Sequence, residues 1–499
     1  MTDAVGGRRG VATWLVVAVV TIVALGAYFR VDGLMSSLWI DEFGTFWVTE
    51  DRLSTTVARA LQFQGQSPFY YLIVWIPLHL FGESELALRL PSLIFGCAFI
   101  LVLFLTARRL AGPIGGGVAA GLAWFSWPVV HASVEARPYA LVLLSVALAI
   151  AGFQWAIRTG TGSARALWIL GGASVAWAHY VHYPIVVGLA AAYILLPDLR
   201  TKYSIRRFLI DVLWQAGLVG LCAPQVLALL NRRATLSWID DTNYLVFVPL
   251  LLPVLPAIAL GGTLGTRDSD RMARALRSSL WICMVWHVGV LELAALGGVN
   301  LLSARYFIAI LVPALLLAGA ALARVRLVEA AAALLGFAIL TGGTLIAVKR
   351  TTGTFSGVGY DDWRGAVTEL SARLRSVPEA PVLYRSGFVE EDVVPLGVPS
   401  AATLAPLRSP GRLPFTRDVT PLTFRWSHAL REAYFAERLL PALGPSHRFF
   451  VLCARFGPEP TAYPDQFVSW VEAQWPAQFR AERINFGGVE LIDFQRTGR

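Results

Sequence analysis

Long apolar runs recur along this chain from Val11 to about Val348, and most have the roughly 17–25 residues that a helix needs to cross a bilayer. Such runs have few folded fates. In hydrocarbon every backbone N–H and C=O must be satisfied within the segment, so the runs read as helices packed together in a membrane. The expected spans are 11–29, 88–107, 113–130, 138–157, 166–182, 184–199, 208–228, 245–262, 280–297, 306–323 and 327–347, about eleven in all. Pro184 separates two of them. The chain is 56% hydrophobic and only 15% charged, against roughly a quarter charged in a soluble domain, so the surplus apolar surface must face lipid. The fold class expected is a polytopic α-helical membrane protein.

The first run follows Arg8 and Arg9. Ala24-Leu25-Gly26 is small enough for signal cleavage, but the run is long for a signal peptide and many spans follow, so it reads as an uncleaved helix. The net charge of +9 does not point to nucleic acid, because the basic residues sit mostly between apolar runs, where they set orientation. They are nearly all Arg; Lys202 and Lys349 are the only lysines. One apolar stretch, Phe69 to Phe81, is short for a span and suits an interfacial or re-entrant segment. If it does not cross, Arg108/Arg109, Arg158/Arg165 and Arg324/Arg326, with the clusters at 200–207 and 267–277, share the cytoplasmic side with Arg8/Arg9. If it crosses, every later loop flips and the rule fails repeatedly. The stretch is therefore placed along the outer surface of the plasma (inner) membrane. The loop at 30–87, the segments His131–Arg137 and His179–His182, and the loops at 229–244 and 298–305 then share the outer face with everything after Thr351.

Past Thr351 charge rises and Pro and Gly scatter among short apolar stretches, so the expected organisation is a membrane domain over 1–350 and a water-soluble, extracytoplasmic α/β domain over 351–499. Trp363 to Leu374 has helical spacing; Pro381–Tyr384 and Arg448–Ala454 read as buried strands; Phe467 to Trp475 looks helical. Phe486-Gly487-Gly488 suggests a hairpin joining 483–485 to 489–492. Acceptor recognition or a lid over the site are both open roles for this domain. Cys97, Cys222, Cys283 and Cys453 form neither a disulfide framework nor a metal spacing.

Four constellations on the outer face could carry chemistry. Asp41 and Glu42 follow Leu38-Trp39-Ile40; a carboxylate at the interface can act as a general base or hold a cation, and a solvated loop acid or helix cap is the plainer alternative. Glu135-Ala136-Arg137-Pro138-Tyr139, after His131, could meet a lipid phosphate or simply anchor the interface. His179-Tyr180-Val181-His182-Tyr183 has His at i and i+3, which can bind metal, but Pro184 ends the helix and no third ligand is evident, so polar substrate contacts or interfacial aromatics fit better. Ser303-Ala304-Arg305-Tyr306 enters a span, where Arg305 is costly unless it meets an anion such as phosphate or snorkels to the headgroups.

These elements occur in a familiar order. Leu38-Trp39-Ile40-Asp41-Glu42, Ser67-Pro68-Phe69-Tyr70-Tyr71 and the stretch from Phe81 to Ser92, which contains Arg89, resemble the N-terminal third of bacterial dolichyl-phosphate-mannose–protein mannosyltransferase-like proteins. These are GT-C type glycosyltransferases, related to the lipid A aminoarabinose transferases. Ala136 to Leu141, Arg305-Tyr306 with Pro313, and Asp361-Asp362-Trp363-Arg364 look like further family elements. Where the family often has His-Pro-Pro, this chain has Gln66-Ser67-Pro68, so no histidine role carries over there.

The resemblance implies inverting transfer from a polyprenyl-phosphate sugar to a hydroxyl on a protein, lipid or glycan. Asp41 would be the base, and Glu42 would position the acceptor or tune Asp41. Arg89, Arg137, Tyr139, His179, His182, Arg305 and Tyr306 would bind donor phosphate or substrate. A cation near the leaving phosphate stabilises the charge that develops there. No nucleotide is implied, in keeping with the lack of a Gly-rich phosphate loop. A divalent cation is compatible with the chemistry, with no clear ligand set. The competing readings are a lipid or glycan transporter or flippase, which would favour internal repeats that this chain does not show, and a non-catalytic scaffold.

Overall fold

The computed structural model describes residues 20, 23–64, 66–232, 271–299, 301–323, 327–352, 361–396, 401–408, 418–455 and 461–498. The expected span over 245–262, most of the run 11–29, Arg8/Arg9, Arg267, Arg324/Arg326 and the loop beyond Arg232 lie outside them. Among the described residues, four helical segments are long and apolar enough to cross a membrane: Glu85–Phe125, Tyr139–Thr159, Arg271–Leu296 and Ala304–Leu322.

The short helix α1 (Ile40–Thr49) carries Asp41 and Glu42 in its first turn, where carboxylates suit the positive end of the helix dipole. Helix α2 (Pro68–Phe81) has 14 residues, too few to span. Pro68 at its first turn gives up no needed N–H, and Ser67 Oγ accepts from Phe69 N–H at 3.2 Å. Ser67 thus serves as a local cap where the family often has a histidine-proline pair.

Helix α3 (Glu85–Phe125) is two helices joined at a break at Ala111–Gly112. Gly112 has φ +78°, which a residue with a Cβ resists, and Pro113 restarts the helix without an N–H. The expected span 113–130 is shorter than foreseen. It stops at Phe125, and Pro128 belongs to the first turn of a separate helix, α4 (Trp127–Val134). Helices α5 (Tyr139–Thr159) and α6 (Gly162–His179) lie backbone to backbone: a Cβ on Gly152 would come within 2.4 Å of Trp168 N, and one on Gly171 within 2.7 Å of Ala149 N. Small residues admit such an approach where hydrophobicity alone cannot bind helices in lipid.

A 3₁₀ turn (Tyr180–His182) leads to α7 (Pro184–Leu195), which has only 12 residues. The stretch expected over 208–228 divides at Leu221–Cys222 into α8 (Ile205–Gly220) and α9 (Ala223–Arg232). Then follow α10 (Arg271–Leu296), α11 (Ala304–Phe307), α12 (Leu311–Leu322) and α13 (Leu327–Thr352). Large apolar side chains such as Leu213, Trp214, Val285 and Leu293 face outward, as lipid contact requires.

After α14 (Trp363–Leu374) the chain builds a five-stranded sheet from β1 (Val382–Arg385), β2 (Thr420–Pro421), β3 (Arg448–Ala454), β4 (Phe479–Phe486) and β5 (Val489–Arg496), with α15 (Tyr463–Gln474) between β3 and β4. The order is β2-β1-β3-β5-β4; β1 pairs parallel with β2 and β3, and the pairs β3–β5 and β4–β5 are antiparallel. Side chains alternate between two faces. Leu383, Phe449, Val451, Ile492 and Phe494 pack with Phe467 and Val471 of α15. Val382, Tyr384, Phe450, Leu452 and Leu491 join the cluster that holds Trp363, Val367 and Leu370 of α14 and, beyond them, Phe43 of α1.

That second face seats the sheet on the first loop. The Trp363 ring meets Phe43 edge-on at 6.4 Å. Arg364 donates to Ser37 Oγ through its backbone N–H (3.3 Å), and through its guanidinium to Glu85 Oε1 (3.0 Å) and Met35 O (3.1 Å).

Candidate active site

Helix α6 has 18 residues, about 27 Å at 1.5 Å per residue, and its two ends hold different ion-pair groups. At its start Arg165 forks onto Asp211 (2.6 and 2.7 Å), which also accepts from Tyr203 Oη at 2.6 Å. At its other end lie His179 and the residues gathered around Asp41.

Asp41 Oδ2 accepts from Arg305 Nη1 at 2.9 Å and lies 4.0 Å from Arg137 Nη2. Arg305 stands 6.0 Å from the Trp39 ring centre and keeps a third of its side chain exposed. Burial pushes the Asp41 carboxyl up, but the charges of Arg137 and Arg305 and the Arg305 hydrogen bond outweigh it, and the carboxyl falls below its ordinary value. Arg305 has five N–H groups, and its Nη1 bond to Asp41 uses one end of a planar fork suited to an oxyanion.

Beside this centre stand rings from five elements. Tyr139 lies near-parallel to His179 with centroids 6.2 Å apart; His179 is 5.3 Å from His182 and 5.6 Å from Tyr306. His182 stacks on His287 of α10 at 6.0 Å, and His287 Nε2 is 3.0 Å from Tyr306 O. The three imidazoles are buried. Sequence reasoning missed His287; a histidine within a mostly apolar span, which also holds Glu292, was the signal that could have found it. Among the described residues, no three His, Cys, Asp or Glu side chains gather closely enough to hold a metal ion.

Two expected site residues pair with each other. Glu42, expected to position the acceptor or tune Asp41, is fully buried, and its oxygens accept from Arg89 Nε (2.7 Å), Arg89 Nη2 (2.5 Å), Ala136 N (2.7 Å) and Trp39 N (3.3 Å). Arg89, expected to bind donor or substrate, is also fully buried, and its Nη1 and Nη2 donate further to the carbonyls of Gly33, Leu34, Ser36 and Ser37. The pair holds the loop 33–39 and the backbone beside Arg137, and it has no face turned to a ligand. Thr45 Oγ1 adds a bond to Ala136 O (2.8 Å), and Ser92 Oγ one to Arg137 O (3.3 Å). Glu42 therefore sets the spacing of Asp41 and Arg137 without touching either partner's chemistry. At the position where the family often has histidine, Gln66 Oε1 accepts from Tyr71 Oη at 2.8 Å.

Residues 65–227 match the sequence model of the family described as dolichyl-phosphate-mannose-protein mannosyltransferase. Two solved structures share the fold across nearly the whole of both chains. ArnT from Cupriavidus metallidurans bound to undecaprenyl phosphate superposes with a TM-score of 0.57 at 13% identity, over 95% of this chain and 97% of that one. The same protein in the apo state gives 0.56 at 15% identity, over 97% and 98%. The chain shares the fold of these ArnT structures. The resemblance read from the sequence motifs is thereby borne out. No curated protein matches the chain in sequence.

Proposed function

We propose that this GT-C protein transfers a sugar from a polyprenyl-phosphate donor to a hydroxyl acceptor, with inversion, on the outer face of the plasma membrane. The observation that carries the reading is one carboxylate, Asp41, held against two guanidinium groups at one end of the helix bundle. The fold adds support, because a protein of the same fold has been solved with undecaprenyl phosphate bound.

The donor's tail stays in lipid, and its phosphate meets Arg305 and Arg137. A phosphate there competes with Asp41 for both cations, and the freed carboxylate becomes more basic as the donor binds. The acceptor hydroxyl gives its proton to Asp41 as its oxygen bonds to the anomeric carbon. The bond from that carbon to the phosphate oxygen breaks, and the electron pair leaves with the phosphate. The arginines stabilise the charge gathered there. Tyr139, His179, His182 and Tyr306 line the space for the sugar.

In this reading about eleven spans make up residues 1–350, the loop 30–87 carries the reacting carboxylate, α2 lies along the outer surface, the N-terminus is cytoplasmic, and 351–499 form an extracytoplasmic α/β domain. The acceptor is a protein, lipid or glycan, and the sugar a hexose or pentose. Comparing surface glycans of cells with and without this chain tests it, together with undecaprenyl phosphate binding by the purified protein in nanodiscs. A missing glycan restored by wild type and not by Asp41→Asn is the expected result. Unchanged glycans and no lipid binding would remove the reading.

A further inference from the structure

The chain's C-terminal part brings another carboxylate into the neighbourhood of Asp41. Asp361 opens the run Asp361-Asp362-Trp363-Arg364, and its surroundings are held from both sides. Its backbone forms an isolated antiparallel bridge with Gly487, and Asp362 N–H donates to Phe486 O at 3.0 Å. Trp363 and Arg364 lock onto Phe43, Met35, Ser37 and Glu85, so the segment rests against the loop and helix that carry Asp41.

The two acids of the run divide their labour. Asp362 Oδ1 caps α14 by accepting Gly365 N–H at 2.9 Å. The Asp361 side chain is not needed for that cap. Among the described residues the influences on its carboxylate are burial and the charge of Asp41, with no cation beside it. Burial first and then Asp41 push its carboxyl up to about 6. Asp41 is faced by Arg137 from the segment before α5, by Arg305 of α11, by Tyr71 of α2 and by Asp361, and Asp361 is faced by Asp41.

Neighbouring carboxylates whose surroundings drive their proton affinities apart divide the work of acid and base. Once the leaving phosphate departs and both cations return to Asp41, a proton left there sits between charges that repel it. The better resting place is the nearby carboxylate that no cation neutralises. We propose that Asp361 is the second carboxylate of the reacting centre, receiving through Asp41 the proton that the acceptor hydroxyl gives up. This rests on the transferase reading above. The step balances: the acceptor O–H breaks, the new glycosidic bond forms, the phosphate leaves with the bonding pair, and the proton ends on Asp361. It also gives the C-terminal part a chemical reason to dock on the first loop.

The test uses the full chain in nanodiscs with Asp361→Asn, Asp361→Glu and Asp41→Asn. Infrared difference titration needs no turnover. A carboxyl titrating near pH 6 is expected in wild type, absent in Asp361→Asn and moved downward in Asp41→Asn. In transfer assays Asp361→Asn is expected to lower kcat by roughly 10²-fold, the low end of general acid–base effects, with donor KM within about twofold. Its pH–rate profile should lose the limb near 6, and Asp361→Glu should restore most of the rate. Unchanged kcat and pH profile in Asp361→Asn would overturn the proposal. So would a titration unaffected by Asp41→Asn, or a rate loss matched by lost donor affinity that Glu does not repair. If wild type neither binds undecaprenyl phosphate nor transfers sugar, the transferase reading fails, and the titration still decides whether the two carboxylates are coupled.

Discussion

Glu42 and Asp41 are adjacent in sequence and opposite in circumstance. Glu42 and Arg89 form a sealed junction in which both side chains have no exposure. Asp41 and Arg305 form an open one, with a quarter and a third of their side chains exposed. A buried pair of that kind stabilises little by itself and punishes the loss of either member, whereas an open pair can exchange one partner for a ligand. The helical step between the two residues turns one acid into the bundle and the other towards Arg137 and Arg305. Structural order and chemistry are thus separated within one turn of α1, and each side of the contrast can be broken separately.

The largest effect is expected on the open side. Asp41→Asn should lower kcat by about 10²–10⁴-fold, the range for losing a general base, while Tm stays near wild type and undecaprenyl phosphate binds at least as tightly, since no carboxylate then competes for the arginines. Rate assays beside thermal unfolding check this, and a large fall in Tm would show Asp41 to be structural. On the sealed side, Arg89→Met strands a buried carboxylate and should cost about 3–5 kcal/mol of stability. Unfolding in detergent measures it, and adding Glu42→Gln should recover part of the loss. A normal Tm in Arg89→Met would mean that the junction is not sealed.

A smaller change is expected for Arg305→Lys, which keeps the charge and loses the planar fork. Donor KM should rise about tenfold, equivalent to about 1.4 kcal/mol, with a lesser change in kcat. Titration with undecaprenyl phosphate checks the affinity. The smallest effect concerns stability against pH. The Asp361 carboxyl is raised to about 6, so the folded state holds its proton more tightly than the unfolded state does. Its contribution is fully present below the unfolded value, near 4, and is lost as pH rises through about 6. Asp361→Asn should therefore raise Tm slightly at pH 7.5 and leave it little changed at pH 4. Asp41 is shifted the other way, below its ordinary value, so its contribution is present above about 4 and is lost only as pH falls further. Opposite pH trends for Asp41→Asn and Asp361→Asn would confirm that one carboxylate is compensated by cations and the other is not.

Much of this arrangement was legible beforehand for local reasons. The helix expected from Trp363 to Leu374 is present with those bounds, and the hairpin turns at Gly487, whose φ of +73° favours glycine. Asp41, Arg137, Tyr139, His179, His182, Arg305 and Tyr306 were each marked by polarity at the edge of an apolar run, and the structure gathers them. The corrections came where distant partners decide. Glu42 was marked by its place beside Asp41 and Arg89 by the family resemblance alone; their mutual pairing, 47 residues apart, was invisible. The breaks at Ser126 and Leu221–Cys222 interrupt apolar runs that hydropathy reads as continuous.

The sequence by itself determined that this chain is a bundle of membrane helices with a region of strands after it, because backbone hydrogen bonding in lipid and side-chain periodicity act over neighbouring residues. Only the tertiary structure decided which charges meet. Asp41 and Arg305 are 264 positions apart, and Asp361 reaches Asp41 through a docked sheet. Charge pairing depends on distance in space, and periodicity along the chain carries no record of that distance.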